Sequence, residues 1–152
     1  APIGDSAPTT SCYMTGHPSR TGYIATYPPA DPGNDIFPVD STRAYQPMIT
    51  LLEAMRLVQN KATGLVFTCE FTHATPADCS AHSYSRKRYD WIAPQMVHND
   101  VDVVIGGGTS LLDADGEAYL KSRGYNVYRD DLYARRWRQQ DVGPLRQTRH
   151  GL

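Results

Sequence analysis

Between residues 47 and 128, short apolar strands alternate with helical segments, and that alternation restricts the chain to few architectures. Pro47 suits the first turn of a helix. Ile49, Leu52, Ala54, Met55 and Val58 then recur near helical spacing up to Gly64, which predicts an amphipathic helix over 47–61. Residues 65–69 (LVFTC) follow as an apolar, partly β-branched strand. A helix is expected over 89–99, with Pro94 favouring a late start, and a second buried strand over 102–105. A helix over 115–123, stopped by Gly124, leads to a third strand over 125–128. The order implies βαβ crossovers, hence an α/β fold with a parallel sheet and flanking helices. Ligands in such sheets bind beyond the carboxyl ends of the strands, so the loops after Cys69, Ile105 and Tyr128 are expected along one edge.

The first forty-six residues are punctuated by Pro18, Pro28, Pro29, Pro32, Gly33, Asn34 and Pro38, so 16–46 is expected to be mostly loop. Loops of that length are usually functional or belong to a larger architecture. The net charge of −1 excludes a global field toward nucleic acid or membrane. No apolar run approaches the length of a membrane span, and no charged-then-apolar leader precedes the first turns. The charge is uneven, however. Residues 135–152 hold five arginines against Asp141, a net of +4, which leaves −5 on the other 134 residues. The chain therefore divides into an α/β unit over 1–134 and a basic tail over 135–152, which is either an extension with its own partner or a segment foreign to the preceding fold. Cys12, Cys69 and Cys79 have no metal-type spacing; Cys69 is expected as a buried small hydrophobe, and one disulfide stays open without a pairing.

Side chains capable of chemistry gather in two places. The loop after the first strand runs from Glu70 through Thr72, His73, Thr75, Asp78, Cys79 and His82 to Arg86, Lys87 and Arg88. Its hydroxyls and carboxylates suit a hard cation, and an arginine fork matches phosphate oxygens. Its bland reading is a structural His82 with solvated Lys87 and Arg88. The second place is Gly4-Asp5-Ser6-Ala7-Pro8-Thr9, where Ser6 could cap a helix whose N-terminus favours a phosphate. A serine there is inert near neutral pH without a base or a metal. Gly106-Gly107-Gly108 is read as a tight strand-to-loop turn, since it lacks the pattern of a nucleotide-binding loop. Asp113-Ala114-Asp115-Gly116 is read as a helix cap, because a calcium loop needs further acids.

Taken together, these motifs resemble the alkaline phosphatase family. Asp5-Ser6-Ala7-Pro8-Thr9, leading to Thr15-Gly16, is similar to the family's nucleophile motif. Thr72-His73-Ala74-Thr75-Pro76-Ala77, with Ala81-His82 and Ser85-Arg86 downstream, resembles its THATPA…AH…SR stretch. Asp100 to Gly108 resembles the following strand and its glycine turn, and the likeness covers residues 4 to 133. By resemblance, Ser6 is the nucleophile that becomes phosphoserine, Asp5 orients the arginine, and Arg86 clamps two nonbridging phosphate oxygens. Thr75 resembles a magnesium ligand, Ser6 is activated by zinc, and His73 tunes the third metal site.

The resemblance implies a three-layer α/β/α domain, present here incompletely, and hydrolysis of phosphate monoesters with release of inorganic phosphate. It implies two Zn and one Mg, most of whose ligands belong to family segments that this chain does not carry. The upstream aspartate, the magnesium-binding glutamate and the Asp/His-rich zinc motifs are all missing. It further implies a homo-oligomer and a periplasmic or secreted location. A sheet cut on both sides is expected to expose edges and to be poorly soluble alone. Two other readings compete: a catalytically inactive module that binds an anion or partner through its basic tail, and a related phosphodiesterase or sulfatase-like enzyme. Trp137 alone interleaves with the tail arginines, which disfavours nucleic acid.

Overall fold

The structure is a computed structural model that describes residues 4–35 and 37–129. The basic tail therefore lies outside the described residues. Among the described residues five α-helices and two strands follow in the order α1 (Ser6–Thr15), α2 (Leu51–Leu57), β1 (Gly64–Glu70), α3 (Ala74–Ser80), α4 (Tyr89–His98), β2 (Val103–Gly107) and α5 (Ala114–Ser122). The strands are parallel, so α3 and α4 form the crossover between them, as the alternation requires. The chain is thus α/β, with a parallel two-stranded sheet and flanking helices.

The register pairs Gly64 with Val103 and Val66 with Ile105, then slips so that Glu70 meets Gly107. Glycine is needed at the slip. A Cβ on Gly106 would lie 1.9 Å from the Phe67 ring, and one on Gly107 would lie 2.9 Å from the Cys69 carbonyl. Gly106 and Gly107 are therefore strand residues, and Gly108, at φ +95°, makes the turn. Gly106→Ala is expected to displace the Phe67 ring and to destabilise the chain by roughly 1–3 kcal/mol, read as a lowered thermal midpoint.

The core sits on one side of the sheet. Ala7 of α1, Ala74 and Ala77 of α3, and Ile92 and Met96 of α4 pack with Ile24 and Ala81, and Leu65 and Phe71 lie against them. Four alanines allow α1 and α3 to approach closely. The sheet is open among the described residues: on the far face Val66 is 77% exposed and Ile105 beside it 41%, and Val104, paired with Leu65 on the core side, is still 46% exposed. The strand over 102–105 is accordingly not buried, because the core meets the sheet through Leu65 of β1 and includes no residue of β2, and Cys69 is only half-buried. All three cysteines are free.

Other expectations change for local reasons. The helix expected over 47–61 is confined to Leu51–Leu57, because Thr50 closes its start in a capping box with Glu53 while Pro47 pairs with Thr26 in a β-bridge. α4 begins at Tyr89 despite Pro94, which sits exposed on the helix. Asp5 rather than Ser6 caps α1, its Oδ1 accepting from Ala7 N at 3.1 Å. The stretch after β1, expected as loop, contains the seven-residue α3. Residues 125–128 have strand composition but pair with neither β1 nor β2; Tyr125 N instead donates to Leu120 O at the end of α5. Residues 16–46 are mostly loop, as expected, and Asp113 caps α5 by accepting from Gly116 N. No helix among the described residues is long and apolar enough to cross a membrane.

Candidate active site

Three segments bring the candidate site together. Helix α1 begins at Ser6, which places the serine at the positive end of a ten-residue helix, where Asp5 takes the Ala7 N–H and Pro8 has none to offer. Residues 22–24 lie beside it. Gly22 N donates to Asp5 Oδ1 at 3.3 Å, and Gly22 O accepts from Arg86 N at 2.6 Å. Ile24 bridges Ser83, which fixes the turn that carries Arg86. The Arg86 side chain then reaches back, its Nη1 donating to Ser6 Oγ at 3.0 Å and to Asp5 Oδ2 at 3.1 Å. Its Nη2 lies 3.2 Å from His73 Nε2. A guanidinium only donates, so in this contact Nε2 accepts and the imidazole proton sits on Nδ1.

Four of the expected residues (Asp5, Ser6, His73 and Arg86) therefore form one hydrogen-bonded cluster, although Ser6 and Arg86 stand 80 positions apart. The Arg86 and Asp5 side chains are 25% and 30% exposed, which leaves the cation reachable by a solute. Thr75 stands two residues beyond His73, exposed in the otherwise buried first turn of α3, and no hydrogen bond of the cluster includes it. His82 has a structural environment, as expected. Its Nε2 lies 3.0 Å from Glu53 Oε1 and its Nδ1 2.9 Å from Ala25 O. Burial works to lower its pKa, but these two acceptors outweigh burial and hold it above the usual histidine value. Burial likewise works against the Glu53 charge, yet His82 and Thr50 keep Glu53 below the ordinary carboxylate range. Arg88 lies over Trp91 at 4.3 Å and pairs with Asp90 at the surface.

Asp78, read in the sequence as one of the loop side chains suited to a cation, belongs instead to the interior. Asp78 is fully buried, and its Oδ1 accepts from Ser11 Oγ at 2.5 Å and from Ala25 N at 2.7 Å. Burial pushes its carboxyl up to about 7, against the two hydrogen bonds. With 70–88 taken as loop, nothing marked Asp78 as buried on a helix with Ala74 and Ala77.

Among the described residues no group of three or more His, Cys, Asp or Glu side chains converges as a metal cage. The cluster can instead hold a tetrahedral oxyanion. It combines a half-buried fork of donors, a helix N-terminus and a hydroxyl within reach of both.

The family model for alkaline phosphatase matches residues 1–142. Alkaline phosphatase 3 of Bacillus subtilis is 43% identical over 91 residues, which is 54% of this chain and 19% of the relative. The tissue-nonspecific alkaline phosphatase of Gallus gallus is 29% identical over 131 residues, 74% of this chain and 24% of the relative. Among solved structures, the cold-active alkaline phosphatase of a psychrophilic Shewanella superposes with a TM-score of 0.66 at 31% identity, covering 82% of this chain and 27% of that one. The enzyme of the Antarctic bacterium TAB5 gives 0.67 at 25% identity, covering 86% and 35%. A variant of the TAB5 enzyme has Mg bound in its M3 site. The chain thus spans about a fifth of its Bacillus and Gallus relatives and about a third or less of these structures. With the family model covering nearly its whole length, this chain belongs to the alkaline phosphatase family.

Proposed function

We propose that this chain supplies the nucleophile and the phosphate clamp for metal-dependent hydrolysis of phosphate monoesters through a phosphoserine at Ser6. The contact of Arg86 Nη1 with Ser6 Oγ, at 3.0 Å, carries the proposal. A monoester dianion entering beside Ser6 meets the Arg86 fork with two nonbridging oxygens and the start of α1 with a third. Asp5 holds the guanidinium in register. Ser6 Oγ then attacks phosphorus, the P–O bond to the leaving alcohol breaks, and water later releases inorganic phosphate from the serine. A single arginine favours monoesters over diesters, because a diester offers one fewer charged oxygen.

The alkaline phosphatase family is metal dependent, and its metals supply the charge that activates the serine and stabilises the leaving oxygen. The described residues do not build their cage, and the hydrogen bond that Ser6 Oγ makes among them is the one from Arg86. Ser6, Thr75 and, at longer range, His73 are proposed to face metals held mostly by residues beyond this chain. Residues 1–134 are proposed as the partial family domain and 135–152 as a basic extension. A periplasmic or secreted location and a homo-oligomer are proposed from the family.

The 152-residue chain alone is expected to hydrolyse p-nitrophenyl phosphate no faster than its Ser6→Ala variant. Turnover well above that control, abolished by EDTA, would show that the chain carries a complete site. With the cage completed, acid quenching should trap phosphate on Ser6, and label persisting in the Ser6→Ala protein would refute the assignment.

A further inference from the structure

We infer that Asp78, through Ser11 and Ala25, is a positioning residue that sets the separation of Ser6 and Arg86; the inference rests on the function proposed above. Asp78 belongs to α3, whose N-terminus carries His73. Its Oδ1 accepts from Ser11 Oγ at 2.5 Å, and Ser11 lies on α1 five residues beyond Ser6, about 7.5 Å along the same helix. The same Oδ1 accepts from Ala25 N at 2.7 Å, and that N–H also points at Ser11 Oγ, 2.9 Å away. Ala25 directly follows Ile24, whose backbone pairs with Ser83 at 2.8 and 3.0 Å, three residues before Arg86. One buried oxygen therefore ties together the helix that bears the nucleophile, the helix that bears His73, and the segment that anchors the phosphate arginine.

Packing alone gives no reason for a carboxyl at this point. Asp78 is fully buried, and its Oδ2 has no hydrogen-bond partner among the described residues, so the side chain is costly where it stands. Ala25 is held at φ +37°, a strained conformation for alanine, with its N–H on Asp78 and Ser11 and its carbonyl on Met48 N and His82. If the Asp78 bond is lost, Ala25 can relax, and Ile24, Ser83 and Arg86 shift with it.

Nuclear magnetic resonance of the 152-residue chain tests this without turnover. The reporters are the Ser6 amide and the Arg86 Nε–Hε group, and the distant amides of α5 serve as internal controls. Asp78→Ala should move both reporters much further than it moves the α5 amides. Asp78→Asn keeps an oxygen that accepts both bonds, and it should leave the reporters near their parent positions. If Asp78→Ala does not fold, Ser11→Ala removes the α1 link alone and should move the Ser6 reporter. The inference is overturned if the reporters stay fixed in the alanine variants, or if Asp78→Asn moves them as far as Asp78→Ala. Failure of the proposed function would show separately, as phosphate label persisting in Ser6→Ala with the Asp78 shifts intact.

Discussion

Arg86→Ala, in metal-loaded enzyme carrying this segment, should lower kcat/KM by roughly 30- to 1,000-fold, a loss on the order of 2–4 kcal/mol of transition-state stabilisation. The magnitude follows from the charge that phosphoryl transfer spreads over the equatorial oxygens, which a preorganised cation meets without reorganising. Arg86→Lys should recover only part of the loss, because an ammonium lacks the planar fork that engages two oxygens at once. Inhibition by inorganic phosphate should weaken in parallel. Stability should change little. Asp5 keeps its cap on α1 through Oδ1 when its Oδ2 loses Arg86, and the pair is partly exposed, so it contributes only modestly. A variant with unchanged kcat/KM would remove Arg86 from the phosphate site.

The second large effect concerns pH and stability. Asp78 titrates from its ordinary 3.8 when unfolded to about 7 when folded. Between those values the folded chain binds more protons than the unfolded chain, so stability falls as pH rises across that window. At about 1.4 kcal/mol per pH unit, the fall amounts to roughly 4 kcal/mol and levels off above the folded value. His82 adds to the same trend. Its folded pKa lies above 6.5, so the stability it contributes is present below that value and is lost as pH climbs past its raised one. Glu53 acts on the opposite side: its stabilisation is lost when acid protonates it below its ordinary 4.5. In Asp78→Asn the decline between about pH 4 and pH 7 should flatten while the His82 decline persists. Thermal midpoints measured across that range check this, and a variant whose profile matches the parent's would contradict it.

How much could be read in advance differs from element to element. β1 and β2 were legible because parallel strands are continuous apolar runs, although the second runs on through Gly106 and Gly107 to turn at Gly108. α3 was not legible. Seven residues that include Thr75, Pro76, Asp78 and Ser80 carry little helical signal, and the helix forms because its alanines pack on α1. The segment 125–128 shows the reverse case: Tyr and Val suit a strand, but a strand exists only where a neighbour takes its hydrogen bonds.

The same division runs through the site. The residue types around Ser6 and Arg86, and their likeness to a phosphatase motif, were open in the linear chain. Their meeting within 3.0 Å was not, because it depends on Gly22 bonding to both sides and on Ile24 pairing with Ser83. Asp78 makes the point most directly. The sequence presents it as one acid of the loop after β1, and only the packed structure seals it beneath α1 with Ser11 and Ala25. Periodicity and motif order are properties of neighbours along the chain and survive in the sequence. Burial, the shift of a carboxyl and the meeting of distant groups depend on which backbone lies opposite, and that is decided when the helices close on one another.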